Sequence, residues 1–332
     1  MMPVDPPRID AHTHLFYGRD FLGPMLHELD LRVVVVNITG KGFFKEPVDA
    51  RWHAMLALKE AHPDSVVLCT TFDPEEVVHG PGADAVIAQL ARHLDQGAAV
   101  VKVWKDLGLG VRDATGRYLQ VDDDAFTPIW QFLADEDIPV IAHIAEPRAA
   151  WQPLDERSPH FQFYRDHPGH HLLGRTDLPS WESLIEARDR WIAKNPSLRI
   201  IGAHLGSTEH DVAEVAARLD RYPNFFVDTA ERFCDLFIQP SDKVREFFVR
   251  YADRILYGTD VIQDAPPGAP LDEAEFRRRY EELLASHHAY LAGEDVVEVQ
   301  DKFIDPIRVR ALGLPPDVLR RIYVENAERL LL

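Results

Sequence analysis

His12 and His14 stand two residues apart in the run Pro7-Arg-Ile-Asp-Ala-His-Thr-His-Leu15. On an extended strand, residues two apart point to the same side. Two imidazoles on one side, at the end of an apolar strand, make half of a metal site. A lone His-x-His pair is common for packing reasons, but this one has company. His143, His204 and Asp260 each close a similar apolar run. Imidazole nitrogen combined with carboxylate oxygen suits zinc, and manganese or iron less well. Taken singly, a buried histidine more often packs than ligates, and Asp260 after Gly258-Thr259 would equally serve as a cap. Five such residues at strand ends are hard to obtain from packing alone.

The elements that must carry these residues alternate along the chain. Strand-like runs fall at 8–11, 31–38, 65–72, 98–104, 139–143, 198–204, 224–229 and 254–260. The second, Leu31-Arg-Val-Val-Val-Val-Asn-Ile38, is the near-continuous β-branched type found buried on both faces of parallel sheets. Helix-patterned segments lie between them at about 48–62, 82–96, 122–135, 180–194, 208–220 and 241–251, with a charged helix at 272–291. Eight strands alternating with helices are the repeat of a (β/α)8 TIM barrel. A doubly wound open sheet competes, but the Gly-rich phosphate loop expected after its first strand is missing. In a barrel the reacting groups sit at the carboxyl ends of the strands, where His12, His14, His143, His204 and Asp260 fall. The pattern predicts a single domain over 1–332, with a loop insertion at about 145–179 and a C-terminal helix at about 315–331.

Composition narrows the partners. A formal charge of −19 on 332 residues repels nucleic acid and anionic membrane surfaces. Two cysteines, Cys69 and Cys234, imply no disulfide framework. Neither a leader pattern nor an apolar run of membrane-spanning length is evident, so the cytoplasm is the expected compartment and a small molecule the expected partner.

The ordered pieces Ile9-Asp-Ala-His-Thr-His14, Ala142-His143, Gly202-Ala-His-Leu-Gly206, Phe226-Val-Asp228 and Leu256-Tyr-Gly-Thr-Asp260 resemble the amidohydrolase superfamily. More narrowly they resemble its amidohydrolase-related branch, which contains aminocarboxymuconate-semialdehyde decarboxylase. The ending Ile322-Tyr-Val-Glu-Asn-Ala-Glu-Arg-Leu330 is similar to that branch as well. The resemblance implies one divalent metal, zinc before manganese, held by His12, His14, His143 and Asp260, with His204 as a catalytic or second-metal residue. It implies hydrolysis of a small amide, ester or lactone through a metal-activated water, or alternatively non-oxidative decarboxylation of a small unsaturated or aromatic acid. Homodimers occur in such a branch.

In two-metal members a carbamylated lysine on the fourth strand bridges the ions. Val101-Lys-Val-Trp-Lys105 offers Lys102 and Lys105 on opposite strand faces: Lys102 as the inward one, Lys105 as a cation reaching the site from the rim. A single metal is the favoured reading. Asp260 would move the proton of the attacking water to the leaving group, and His204 would orient that water or stabilise the oxyanion. Glu146 is placed to touch substrate or water. Arg148, Arg175 and Arg232 lie in loops on the same side and would suit a substrate carboxylate. The aromatic stretch from Glu146 to Leu178, holding Trp151, Phe161, Phe163, Tyr164, His170 and His171, is placed to roof the pocket.

Overall fold

The β-branched run Leu31–Val36 forms a strand buried along almost its whole length, because helices cover the outside of the sheet and side chains fill its inside. It is one of nine parallel strands in the computed structural model, which describes residues 7–39 and 47–332. In chain order these are β1 Arg8–Leu15, β2 Leu31–Val36, β3 Val66–Thr71, β4 Ala98–Val103, β5 Val140–Ala142, β6 Ile200–Gly202, β7 Phe225–Asp228, β8 Ile255–Leu256 and β9 Val261–Gln263. The sheet runs β8-β7-β6-β5-β4-β3-β2-β1-β9.

The eighth segment, expected as one strand over 254–260, is broken in two. β8 pairs with β7 and β9 pairs with β1, register Thr13 to Val261. In the gap, Ala11 N donates to Tyr257 O at 2.8 Å and Asp260 N donates to His12 O at 2.8 Å. These bonds close the sheet into a barrel. The break is a left-handed residue, Asp260, with φ 61°, which ends the simple alternation of a strand.

Helices lie where the periodicity puts them. Val212–Arg221 buries Val212, Val215 and Leu219 on one stripe, and the Asp211 carboxylate caps its start by accepting from Ala213 N. At the C-terminus, Pro316–Arg320, a π turn Arg321–Glu325 and Asn326–Leu331 run on as one helical rod. Within the π turn the Ile322 carbonyl accepts from Tyr257 N at 3.0 Å. Asn326 Nδ2 donates to Ala252 O and Ile255 O, both at 2.7 Å. The last helix therefore braces the seam where the barrel closes.

A hairpin, β10 Val296–Asp301 and β11 Ile304–Arg310, forms a separate two-stranded antiparallel sheet. It lies outside the eight-strand pattern, although alternation at Val297, Val299, Ile307 and Val309 signals it. A short helix, Leu22–Glu28, also separates β1 from β2. Among the described residues no helix is long and apolar enough to cross a membrane.

Candidate active site

The carboxyl ends of the strands converge on one cup, and the backbone there is strained. Seven described non-glycine residues have positive φ, and five of them, His204, Leu205, Ser207, Glu231 and Asp260, follow β6, β7 or β8. A left-handed residue costs about 1–2 kcal/mol where Cβ is present, so each must be held by its surroundings. His204 N donates to Asp228 Oδ1 at 2.8 Å. The Ser207 hydroxyl donates to Ala145 O at 3.0 Å, and buried Arg188 donates to Gly206 O. The turn also needs Gly202, where an added Cβ would sit 2.6 Å from the Phe225 ring and 2.7 Å from Gly206 Cα. Gly202→Ala is expected to lower stability by about 1–3 kcal/mol through overpacking, read as a fall in the urea midpoint.

Three histidines have one ring nitrogen committed to an acceptor. His12 Nδ1 donates to Asp228 Oδ2 at 2.8 Å. His14 Nδ1 donates to Val36 O at 2.7 Å, and His204 Nδ1 to Ala230 O at 2.8 Å. Each Nε2 is then an acceptor turned into the cup. His14 Nε2 lies 3.0 Å from Asp260 Oδ1, His12 Nε2 3.8 Å from the same oxygen, and His204 Nε2 3.9 Å from Asp260 Oδ2. Two acceptors facing each other at 3.0 Å repel unless a proton or a cation lies between them. His143 joins through His204, with Nδ1 3.2 Å from His204 Nε2. Its own Nε2 is buried without a partner, so either tautomer leaves one polar group unsatisfied.

These observations fit a divalent cation. The ligating atoms of His12, His14 and Asp260 lie within 4.8 Å of one another, as do those of His204, Glu231 and Asp260. Burial holds His12, His143 and His204 below the usual imidazole range, which keeps them neutral and able to ligate. Burial pushes the Asp260 carboxyl up, and a positive charge beside it, such as a proton on the His12 or His14 imidazole, holds it well below the usual range. The Nδ1 partners supply the outer hydrogen bonds that fix ligand orientation.

Beneath Asp260, a buried carboxylate sets the floor. Asp10 accepts from the Thr259 hydroxyl at 2.5 Å, Tyr280 hydroxyl at 2.7 Å, Thr259 N at 3.0 Å and His12 N at 3.2 Å. Burial raises its pKa to about 6 against these four bonds. It thus ties the two ends of the barrel seam together. Asp10→Ala strands those donors and is expected to cost about 1–3 kcal/mol of stability, visible in thermal unfolding of metal-free protein.

Both lysines of the fourth strand reach the cavity. Lys102 points into the barrel, 1% exposed, with Nζ 3.0 Å from His12 Nε2. Burial pushes its ammonium down to about 8. Lys105 lies just past the end of β4, over the Trp104 ring and paired with Glu146. Arg232 lines the same cavity beside Glu231, with Nη1 donating to Glu231 O at 2.7 Å. Arg148 does not line it. Its guanidinium instead meets His210 Nε2 at 3.1 Å and the Trp181 ring. Arg175 is likewise occupied, pairing with Asp177 at the surface.

The inserted loop is partly a roof. Phe163, Tyr164 and His170 line the cavity, whereas His171 bonds to Gln152 O and Phe161 lies under Arg165. Several lining residues have no counterpart among the sequence candidates: Glu231, His160, Lys302 and Phe303. Glu231 stands next to Arg232 after β7 and was within reach of the strand-end rule. Lys302 and Phe303 come from the hairpin turn, and His160 from the insertion, where only folding brings them in. His160 is fixed by Asp235, whose two oxygens lie 3.1 Å from its Nε2.

Similar folds are known. A 2,6-dihydroxybenzoate decarboxylase from Rhizobium superposes with TM-score 0.54 at 16% identity, covering 98% of each chain. A 4-oxalomesaconate hydratase from Rhodopseudomonas palustris gives 0.53 at 13%, covering 98% of this chain and 95% of that one. An amidohydrolase from Burkholderia multivorans gives 0.52 at 12%, covering 98% and 99%. No curated protein matches the sequence. The family model described as amidohydrolase matches residues 9–332, and with that span the chain belongs to the amidohydrolase family.

Proposed function

We propose that the protein is a metal-dependent hydrolase of a small amide, ester or lactone. The observation that carries this is a pair of potential ligand groups that share the Asp260 carboxylate, one with His12 and His14 and the other with His204 and Glu231. His12, His14 and Asp260 would hold the ion, zinc before manganese, with His143, which meets this group through His204, as the fourth ligand expected from the sequence. A divalent cation there supplies Lewis acidity toward a carbonyl oxygen or a water.

The remaining chemistry belongs to the side chains. Asp260, as a carboxylate, takes the proton of the attacking water and returns it to the leaving group. His204 keeps its hydrogen on Nδ1 for Ala230 O, so its Nε2 accepts a hydrogen bond and orients the water. The alternative oxyanion role would need an imidazolium, and burial together with Arg232 opposes that charge. Glu231 offers a further carboxylate to the group of His204 and Asp260, and Lys102, 3.0 Å from His12 Nε2, is a candidate for bridging a second ion.

One observation favours a second reading. Lys105, Arg232 and Lys302 gather around the aromatic side chains Phe163 and Phe303, a lining suited to a planar carboxylate. Decarboxylation of an unsaturated or aromatic acid would use it. The deciding experiment supplies zinc-loaded protein with panels of lactones, esters, amides and carboxylic acids. Acid release from the first three supports hydrolysis. Carbon dioxide release from the last supports the carboxy-lyase reading and sinks the hydrolytic one. Dialysis against a chelator is expected to remove the activity and added zinc to restore it; activity that survives chelation refutes both.

A further inference from the structure

The cavity over the histidines is about 200 Å³, smaller than the roughly 300–1,000 Å³ of ordinary ligand pockets. It does not stand alone. A cleft of about 550 Å³ lies between β9, the helix Glu273–Ala292 and the β10–β11 hairpin. Asp260, Ile262 and Lys302 line both spaces. The two therefore adjoin across the same three side chains, and together they reach the size of a normal substrate site.

Their chemistry differs. The histidine cavity is ringed by Lys102, Lys105, Arg232 and Lys302 with Glu146 and Glu231. The cleft is walled by Val261, Phe276, Leu283 and the Tyr280 ring. Its charged members are engaged elsewhere: Arg279 pairs with Glu275, Glu282 with Arg278, and Asp301 accepts from Cys234 N at 3.0 Å. At the junction Ile262 is 40% exposed, a large apolar side chain left facing open space. Beside it Lys302 is held by Glu231, so a cation sits at the boundary between the polar and apolar parts.

We propose that the substrate is amphipathic and elongated. Its polar reacting group sits over the histidines, and an apolar chain passes Ile262 and Lys302 into the cleft beside Leu283. The inference rests on reading the histidine cavity as the reaction site. It adds a specificity subsite contributed by the helix Glu273–Ala292 and the β10–β11 hairpin.

Alkyl hydroxamates test it, because their head binds a divalent metal whichever reaction the protein performs. Binding of acetohydroxamate, butyrohydroxamate and octanohydroxamate to zinc-loaded protein is measured by calorimetry. Each methylene that leaves water is worth at most about a fourfold gain in affinity. An overall gain of about tenfold or more from two to eight carbons is therefore expected. Leu283→Trp, which fills the cleft, is expected to cut that gain to about threefold or less while leaving acetohydroxamate binding unchanged. Ile262→Gln, on the strand side, is a second route to the same loss if the tryptophan perturbs the helix. No gain with chain length, or a gain that both variants leave intact, overturns the inference. Failure of the metal reading looks different. Acetohydroxamate would then bind no better to zinc-loaded than to zinc-free protein, while the chain-length gain and its loss in the variants would still decide the cleft.

Discussion

Asp260→Asn is expected to lower turnover by about 10²–10⁴-fold, the usual contribution of a positioned general acid–base group, while the fold survives. Asparagine keeps the size of the side chain but loses its charge and its basicity. The same change relieves a conflict. In metal-free protein Asp260 Oδ1 faces the His14 Nε2 lone pair at 3.0 Å, and an asparagine amide turned that way would donate to it. Metal-free Asp260→Asn should therefore melt at the same temperature as wild type or higher. Turnover and thermal unfolding are measured on the same preparation. Near-normal turnover would remove Asp260 from the mechanism, and a collapse of stability would make it structural. The backbone at residue 260 is left-handed, a conformation asparagine tolerates as well as aspartate, so strain does not confuse the result.

Zinc affinity should fall by about 10–100-fold in Asp228→Asn, the range typical of outer hydrogen-bond partners of metal ligands. Asp228 makes no direct approach to the cup. One of its oxygens accepts from His12 Nδ1 at 2.8 Å, and the other accepts from His204 N at 2.8 Å and Ala230 N at 3.1 Å. An asparagine can keep its one oxygen toward the two backbone amides and so preserve the left-handed turn. Its amide nitrogen then meets His12 Nδ1 as a donor. That reverses the His12 tautomer, placing the hydrogen on Nε2, where it blocks the lone pair. Competition against a chromophoric zinc chelator reads the loss. Unchanged affinity would show that the His12 tautomer is not set by Asp228. Asp228→Ala should add a stability defect, since it strands two backbone donors as well.

The two variants separate what was visible along the chain from what was not. Asp260 is prominent because it ends an apolar run, and strand ends are where a barrel places chemistry. Asp228 ends a run too, and belongs to a matching motif, yet nothing local distinguishes a ligand from the residue that orients one. Arg148 and Arg232 look equivalent in sequence, both basic and both shortly after a strand. One bonds His210 and the other lines the cavity, because what each guanidinium meets is set by residues far from it in the chain.

Local sequence by itself determined the parts of the site that are periodic. His12 and His14 share a side because alternate residues in a strand must, and the alternation of apolar runs with amphipathic segments leaves little but a barrel. What only the tertiary structure decided depends on contacts across long separations. The break at Asp260 closes the seam against β1, about 250 residues earlier in the chain. Lys302 and Phe303 arrive on a hairpin, and the apolar cleft exists only where that hairpin meets the helix Glu273–Ala292 and β9. Periodicity is a property of neighbours along the chain, so it reports which way a side chain faces. Which other side chain it meets is settled by packing the whole core, and no local pattern encodes that.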